Sequence, residues 1–115
     1  MTTIYKICPV ELWRDAERDG TFRGFEVDAR DGFIHFSTAA QVAETAARHF
    51  AGQSDLVLVR LDAAGLGAAL KWEPSRGGAL FPHLYGELDL KAVRKVDPLP
   101  LGPDGRHVFP PLDPI

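Results

Sequence analysis

The sequence predicts an α+β domain with small antiparallel or mixed sheets and two main helices. Helical periodicities are few and short, about five or six short β-like runs are spread along the chain, and the two do not alternate regularly. The 115 residues suit one domain, and 45% hydrophobic and 25% charged residues are ordinary for a globular protein. We expect residues 1–98 to form this domain and residues 99–115 to form a proline-rich tail packed on it or extending from it.

Charge and cysteine content restrict the partners. A net charge of -3 gives no sequence-wide electrostatic case for binding nucleic acid or an anionic membrane, and the apolar runs are too short to span a bilayer. The N-terminus lacks the pattern of a secretory signal, so a cytoplasmic location is expected. Cys8 is the single cysteine, which excludes an internal disulfide and a multi-cysteine zinc module. We expect a small-molecule ligand and a monomer or weak homodimer.

The first elements follow from apolar periodicity. Residues 3–7 alternate polar and apolar side chains and predict a strand. Pro9 suits the first position of a helix, whose apolar face recurs until a stop near Gly20. Residues 21–32 are rich in Gly, Asp and Arg, which predicts a loop.

A short strand and the clearest helix signal come next. Residues 33–36 predict a brief strand after a turn. Thr38 is the predicted N-cap of a helix, with Gln41 three residues later completing a capping box. Gly52 is the predicted C-terminal stop.

The second half of the chain predicts mainly strands. Residues 55–62 carry the strongest apolar run and predict a central strand. Residues 70–73 predict another strand, which is halted by Pro74. Residues 79–86 follow a glycine-rich stretch and are interpreted as an apolar loop, and residues 92–96 predict a late strand.

The first candidate site lies around His35. If Phe33 and His35 share one face of the strand, His35 lies at its end, beside the hydroxyls of Ser37 and Thr38 and the free N–H groups of the predicted helix start. A helix N-terminus is a natural site for a phosphate or another anion. In the alternative interpretation Ser37 and Thr38 only cap the helix, and His35 is a half-buried structural residue.

The second candidate site is the segment that follows the glycines. Phe81, His83, Tyr85 and Glu87 occur at alternate positions and could line a pocket with stacking, hydrogen-bonding and acid–base groups. The structural alternative places Phe81 in the core, with Tyr85 and Glu87 at a surface edge.

Glu73 and Cys8 are weaker candidates for functional residues. Glu73, beside Trp72 and near Arg76, could orient a ribose or pair with an arginine, although such a glutamate is more often a solvated strand end. Cys8 precedes a predicted helix start that could lower its thiol pKa, although a small buried apolar role is the alternative. The sequence contains no paired histidine spacing for a metal, no phosphate-binding glycine loop and no serine elbow.

Four segments resemble a known family. Residues 4–7, 31–38, 72–73 and 81–86 are similar to those of small bacterial proteins in domain-of-unknown-function family nine-five-two, and the likeness covers about residues 3–98. The resemblance implies a fold like that of ADP-ribosyltransferases, with two small, strongly curved antiparallel sheets and few helices. Members of the family have no settled biochemical function.

The fold likeness implies NAD or a related nucleotide in the cleft. One branch of the ADP-ribosyltransferases uses a His to hold ribose, a Tyr to stack on nicotinamide and a Glu to stabilise an oxocarbenium-like transition state. The resemblance assigns the first role to His35, the second to Tyr85 and the third to Glu87 or Glu73. The wider family carries Pro at the position of Glu87, which weakens that assignment.

Two main functional hypotheses follow. In the first, the protein binds a nucleotide or another phosphorylated small molecule and acts as a transferase or hydrolase on ADP-ribosyl or phosphate groups. In the second, it is a non-catalytic ligand-sensing or protein-interaction module, which the lack of a clear triad and the proline-rich tail favour. A thiol-dependent enzyme using Cys8 is a third reading. The predicted catalytic residues are His35, Glu73, His83 and Tyr85, and the predicted ligand-binding residues are Ser37, Thr38, Trp72, Arg76 and Phe81.

Overall fold

The computed structural model describes residues 2–112, except for the side chains of residues 26, 27 and 76. Helices and small antiparallel sheets are mixed along the chain, which confirms the predicted α+β class. The helices are α1 (Val10–Asp19), α2 (Glu26–Asp31) and α3 (Val42–His49). The strands are β1 (Thr3–Pro9), β2 (Thr21–Phe22), β3 (Ile34–His35), β4 (Ser37–Thr38), β5 (Leu56–Asp62), β6 (Leu70–Pro74), β7 (Leu80–Leu84), β8 (Leu88–Asp89) and β9 (Val93–Leu99).

The strands form three sheets. A four-stranded sheet has the order β4-β1-β5-β9, a three-stranded sheet has the order β3-β7-β6, and β2 pairs with β8. These pairings are antiparallel. The apolar run of β5 lies between β1 and β9, so the prediction of a central strand is confirmed.

Each face of the four-stranded sheet is covered by an apolar cluster. The side chains of β1 alternate between the faces, because successive residues of a strand point in opposite directions. Ile4 and Cys8 join a cluster that α1 and the three-stranded sheet cover, whereas Tyr5 and Ile7 join a cluster that α3 covers. Lys6 therefore projects from the same face of β1 as two core residues.

The prediction of a loop over residues 21–32 is wrong. The segment contains β2 and the six-residue helix α2. A helix this short has no repeated apolar stripe that a periodicity search could detect. Its first turn is closed by Asp28, whose side chain accepts the backbone N–H of Phe25 at 2.7 Å, and Gly32 ends it in the left-handed conformation.

The predicted start of the third helix is also wrong. Thr38 lies in β4 opposite Ile4 of β1, and α3 begins four residues later at Val42. The predicted partner Gln41 does accept the backbone N–H of Thr38, at 3.0 Å, but this bond closes a turn before the helix. Strand pairing with β1 has prevailed over the local capping pattern, and α3 ends before Gly52.

Two prolines lie in the interior of strands, and two others end a strand. The segment interpreted as an apolar loop contains β7, the middle strand of its sheet, and the buried Pro82 there accepts the backbone N–H of Phe36 at 3.0 Å. Strand β9 runs through Pro98 to Leu99 because it lies at the edge of its sheet, where a missing N–H leaves no neighbour unpaired.

The described part of the tail returns to the domain. The Pro111 carbonyl accepts a hydrogen bond from Arg60 at 2.8 Å, and Nε2 of His107 lies 2.8 Å from the carbonyl of Gln53. Phe109 and Leu112 pack against the cluster that α3 covers. Over the part of the chain that the structure describes, no helix is both long and apolar enough to cross a membrane. The division at residue 98 stays a prediction.

Candidate functional site

A cavity of about 780 Å³ opens beside β1, α2, β3, α3 and β7. Its polar wall includes Lys6, Arg30, Asp31, His35 and His83. Aromatic side chains complete much of the remaining wall: Tyr5, Phe25, Phe36, Phe50 and Phe81. The cavity thus combines titratable groups with flat apolar surfaces.

The centre of the polar wall is the buried carboxylate of Asp28, which is 2% exposed. Its oxygens accept hydrogen bonds from Nζ of Lys6 at 2.9 and 3.1 Å and from the backbone N–H of Phe25 at 2.7 Å. Oδ1 also accepts the backbone N–H of His35 at 3.0 Å and lies 2.7 Å from Nδ1 of the same residue. Three segments of the chain therefore meet at one side chain.

These contacts determine the charge of the buried pair. Burial alone would raise the pKa of Asp28, but the hydrogen bond from His35, the charge of Lys6 and two backbone N–H groups hold that pKa down at about 2. Burial lowers the pKa of Lys6, and the charge and hydrogen bonds of Asp28 oppose this effect. Asp28 is thus an ionised carboxylate at neutral pH.

His35 lies between two carboxylates of α2. Its Nδ1 contacts Asp28, and its Nε2 lies 3.0 Å from Oδ2 of Asp31. Its ring is 4.6 Å from the ring of Phe33, so these two residues share a face of the strand as predicted. The geometry fixes the ring plane of His35 at the cavity wall.

His83 is held in a similar way on the neighbouring strand. It lies directly opposite His35 in the pairing of β3 with β7, with ring centroids 5.3 Å apart. Its Nδ1 contacts Oε1 of Glu73 at 2.9 Å, and Phe33 stacks on its ring at 4.1 Å. Nε2 of His83 makes no hydrogen bond to any residue within the described part of the chain, 2–112.

Glu73 also forms a hydrogen bond with a tyrosine. Oε1 of Glu73 accepts the hydroxyl of Tyr85 at 2.7 Å. The hydrogen bonds from Tyr85 and His83 lower the pKa of Glu73, and the same bond to Glu73 raises the pKa of Tyr85. Glu73 therefore presents its charge to His83 and Tyr85, and it does not line the cavity itself.

The structure brings together part of the predicted site. His35, His83, Ser37 and Phe81 line the cavity, and Glu73 and Tyr85 lie behind His83. The hydroxyl of Ser37 lies 2.9 Å from that of Thr45 on α3. The helix start that was expected to bind a phosphate beside Ser37 and Thr38 is not there, because these residues form β4 and the helix begins at Val42.

Other predicted residues lie elsewhere. Thr38 and Trp72 do not line the cavity, and Trp72 projects from the opposite face of β6 to Glu73. Glu87 is an exposed side chain paired with Arg23 at 2.8 Å. The side chain of Arg76 lies outside the described residues.

Cys8 does not have the properties of a reactive thiol. It is buried in β1, and the helix that follows begins beyond Pro9. Burial raises the pKa of Cys8 to about 11, so its thiol is protonated at neutral pH. This rejects the reading of a thiol-dependent enzyme.

Sequence reasoning missed the groups that anchor His35. Lys6 stands between Ile4 and Cys8 on the core face of β1, and a lysine at an inward position of a strand is a signal that could have been used. Asp28 lies in the segment predicted to be a loop, and Asp31 opens the candidate segment of residues 31–38 but was given no role there. Among the side chains that the structure describes, which do not include Glu26, no group of three or more potential ligands is arranged to hold a metal ion.

The fold and cavity define a small α+β protein with two carboxylate-bound histidines beside one pocket. The family model described as "Protein of unknown function (DUF952)" matches residues 7–96. The chain belongs to this family.

Solved structures of a relative from Caulobacter crescentus are similar throughout. The crystal structure of protein CC0527 is 48% identical, with a TM-score of 0.90, and the match covers 93% of this chain and 94% of that one. The solution NMR structure of CC0527 is 50% identical, with a TM-score of 0.83, and the match covers 92% of this chain and 91% of that one. No curated protein matches the chain significantly.

Proposed function

We propose that the cavity binds a nucleotide or another phosphorylated small molecule, and that its two histidines transfer protons while an ADP-ribosyl or phosphate group is transferred or hydrolysed. One observation carries the proposal. His35 and His83 are paired on the neighbouring strands β3 and β7, and Nδ1 of each lies beside a carboxylate. Both line the cavity of about 780 Å³.

The histidine geometry suits acid–base chemistry. A carboxylate on Nδ1 fixes the tautomer and plane of an imidazole, so that Nε2 can give or take a proton at a defined point. Asp28 has this positioning role for His35, and Glu73 has it for His83. In the proposal His35 binds or protonates a ligand oxygen and His83 closes the pocket, while Tyr85 acts from behind His83 through its hydrogen bond to Glu73.

The rest of the cavity suits a nucleotide. Its volume lies within the range of small-molecule pockets, about 300 to 1,000 Å³. Arg30 offers a cation for a phosphate, and the buried residues Phe81 and Ser37 form part of the wall. The resemblance to ADP-ribosyltransferases makes NAD the first cofactor to test. Thr38 and Trp72 have no part in the proposal.

A thermal-shift experiment tests the binding. Wild type is heated with NAD, ADP-ribose, AMP or ribose 5-phosphate, together with His35→Ala, His83→Ala and a histidine control, His107→Ala. A ligand at a hundred times its dissociation constant stabilises the folded state by about 2.7 kcal/mol. We expect a shift in wild type and His107→Ala that disappears in His35→Ala and His83→Ala.

The outcomes separate the two functional classes. Absence of a shift with every nucleotide and sugar phosphate in wild type would reject the proposal. Phosphorus NMR then follows the ligand during prolonged incubation with the protein. A thermal shift with a ligand that remains intact would support the non-catalytic ligand-sensing module instead. A shift with slow conversion that His83→Ala abolishes would support the enzyme.

A further inference from the structure

Asp31 holds its carboxylate in an unfavourable place. It is the last residue of α2, where the helix presents the negative end of its dipole, which disfavours a carboxylate. Two side chains retain it there. Its Oδ2 lies 3.0 Å from Nε2 of His35, and its Oδ1 lies 3.4 Å from Nε of Arg30.

The hydrogen-bond pattern defines what His35 offers at this point. Nδ1 of His35 faces the ionised carboxylate of Asp28, and Nε2 faces the carboxylate of Asp31. Ionised carboxylates only accept hydrogen bonds, so both ring nitrogens of His35 face acceptor oxygens. His35, Asp31 and Arg30 all line the cavity. Nε2 of His35 therefore lies at the cavity wall with the carboxylate of Asp31 already beside it.

The carboxylates of Asp28 and Asp31 differ in how easily they can move away from His35. Asp28 is buried and held by Lys6 and by two backbone N–H groups, so it keeps the ring of His35 in place. The Asp31 side chain is 36% exposed and can turn toward solvent. The remaining titratable ring facing His35 is His83, at 5.3 Å.

We propose that Asp31 is a placeholder for a phosphate group of the ligand. On binding, a phosphate oxygen displaces the carboxylate of Asp31 and accepts the hydrogen bond from Nε2 of His35, and Arg30 becomes a second donor to the same phosphate. This inference rests on the proposed function, because it specifies which part of the nucleotide reaches His35.

The test removes the competing charge. Asp31→Asn keeps the size of the side chain, and its matched control is Asp19→Asn, because Asp19 also ends a helix before a left-handed glycine. Calorimetric titrations with AMP, inorganic phosphate and adenosine compare both variants with wild type. We expect Asp31→Asn to bind AMP and phosphate roughly tenfold tighter, since one competing contact and its like-charge repulsion are removed. Adenosine affinity and the Asp19→Asn variant stay unchanged.

Each contrary result has a distinct meaning. If wild type binds AMP and Asp31→Asn binds it equally or more weakly, the placeholder is rejected while the proposed function stands. An equal gain for adenosine would also reject it, because adenosine carries no phosphate. If no variant binds AMP, phosphate or the other nucleotides, both the placeholder and the proposed function fail.

Discussion

The two histidines of the cavity are held by carboxylates in opposite environments. Asp28, beside His35, is buried and accepts hydrogen bonds from Lys6, Phe25 and His35. Glu73, beside His83, has a side chain that is 35% exposed and accepts from His83 and Tyr85. The same geometry, a carboxylate beside Nδ1 of a histidine, is therefore part of the folded core on β3 and a solvent-accessible arrangement on β7.

This difference separates stability from function. A charge inside the core must be paired, because leaving its partner unpaired costs far more than the pair contributes. A charge in contact with water is screened and contributes little to folding. We therefore expect substitution of Asp28 to act mainly through folding and substitution of Glu73 to act mainly through the ligand.

The largest effect is expected for Asp28→Ala. It leaves the buried ammonium of Lys6 without a partner, which costs about 3 to 5 kcal/mol of the free energy of unfolding. Urea unfolding at neutral pH measures this loss, with Glu73→Gln as the control that changes stability far less. The double variant Lys6→Met, Asp28→Leu should regain only the part of the loss that comes from the unpaired ammonium, because the backbone N–H groups of Phe25 and His35 still lack their acceptor. Equal destabilisation by Asp28→Ala and Glu73→Gln would contradict the expected difference between the buried and the exposed carboxylate.

A smaller effect is expected on the acid side of the pH profile. The pKa of Asp28 is lowered from 3.8 to about 2, so the unfolded state binds more protons between these values. The stability that Asp28 contributes is complete above its ordinary pKa and is lost as the pH falls through the folded value. As the pH falls from about 3.8 to about 2, the difference in unfolding free energy between wild type and Asp28→Asn should become smaller. A gap that stays constant with pH would contradict the assignment.

The smallest effect is expected at Tyr85. Its pKa is raised by the hydrogen bond to Glu73, so Glu73→Gln should lower the pKa of Tyr85 toward the ordinary tyrosine value. Ultraviolet titration of the phenols measures the change, and Tyr85→Phe identifies which transition belongs to Tyr85, since the chain has two tyrosines. An unchanged transition in Glu73→Gln would show that the two groups are not coupled.

Local patterns allowed part of the fold to be predicted. The alternation of residues 3–7 and the apolar run of residues 55–62 correspond to β1 and β5, because a strand buried on one or both faces must repeat its apolar side chains at short intervals. The helix ending near Gly20 was found for the same reason. Short elements such as α2 have too few residues to carry a period.

The candidate site divides in the same way. His35 and His83 were identified because each is a titratable residue next to apolar strand residues in a distinctive segment. Thr38 was misplaced because its local pattern is that of a helix cap, and only the pairing of β4 with β1 shows otherwise. Lys6 and Asp28 were missed because their meeting joins residues 22 positions apart.

Residue types that are neighbours in the chain were enough to predict the fold class, the central strands, the family and the two histidine segments. The folded chain was needed to show that His35 and His83 line one cavity, that Asp28 is the buried anchor and that Asp31 lies beside Nε2 of His35. These contacts depend on which strand pairs with which and on where α2 packs, and long-range pairing leaves no period in the sequence.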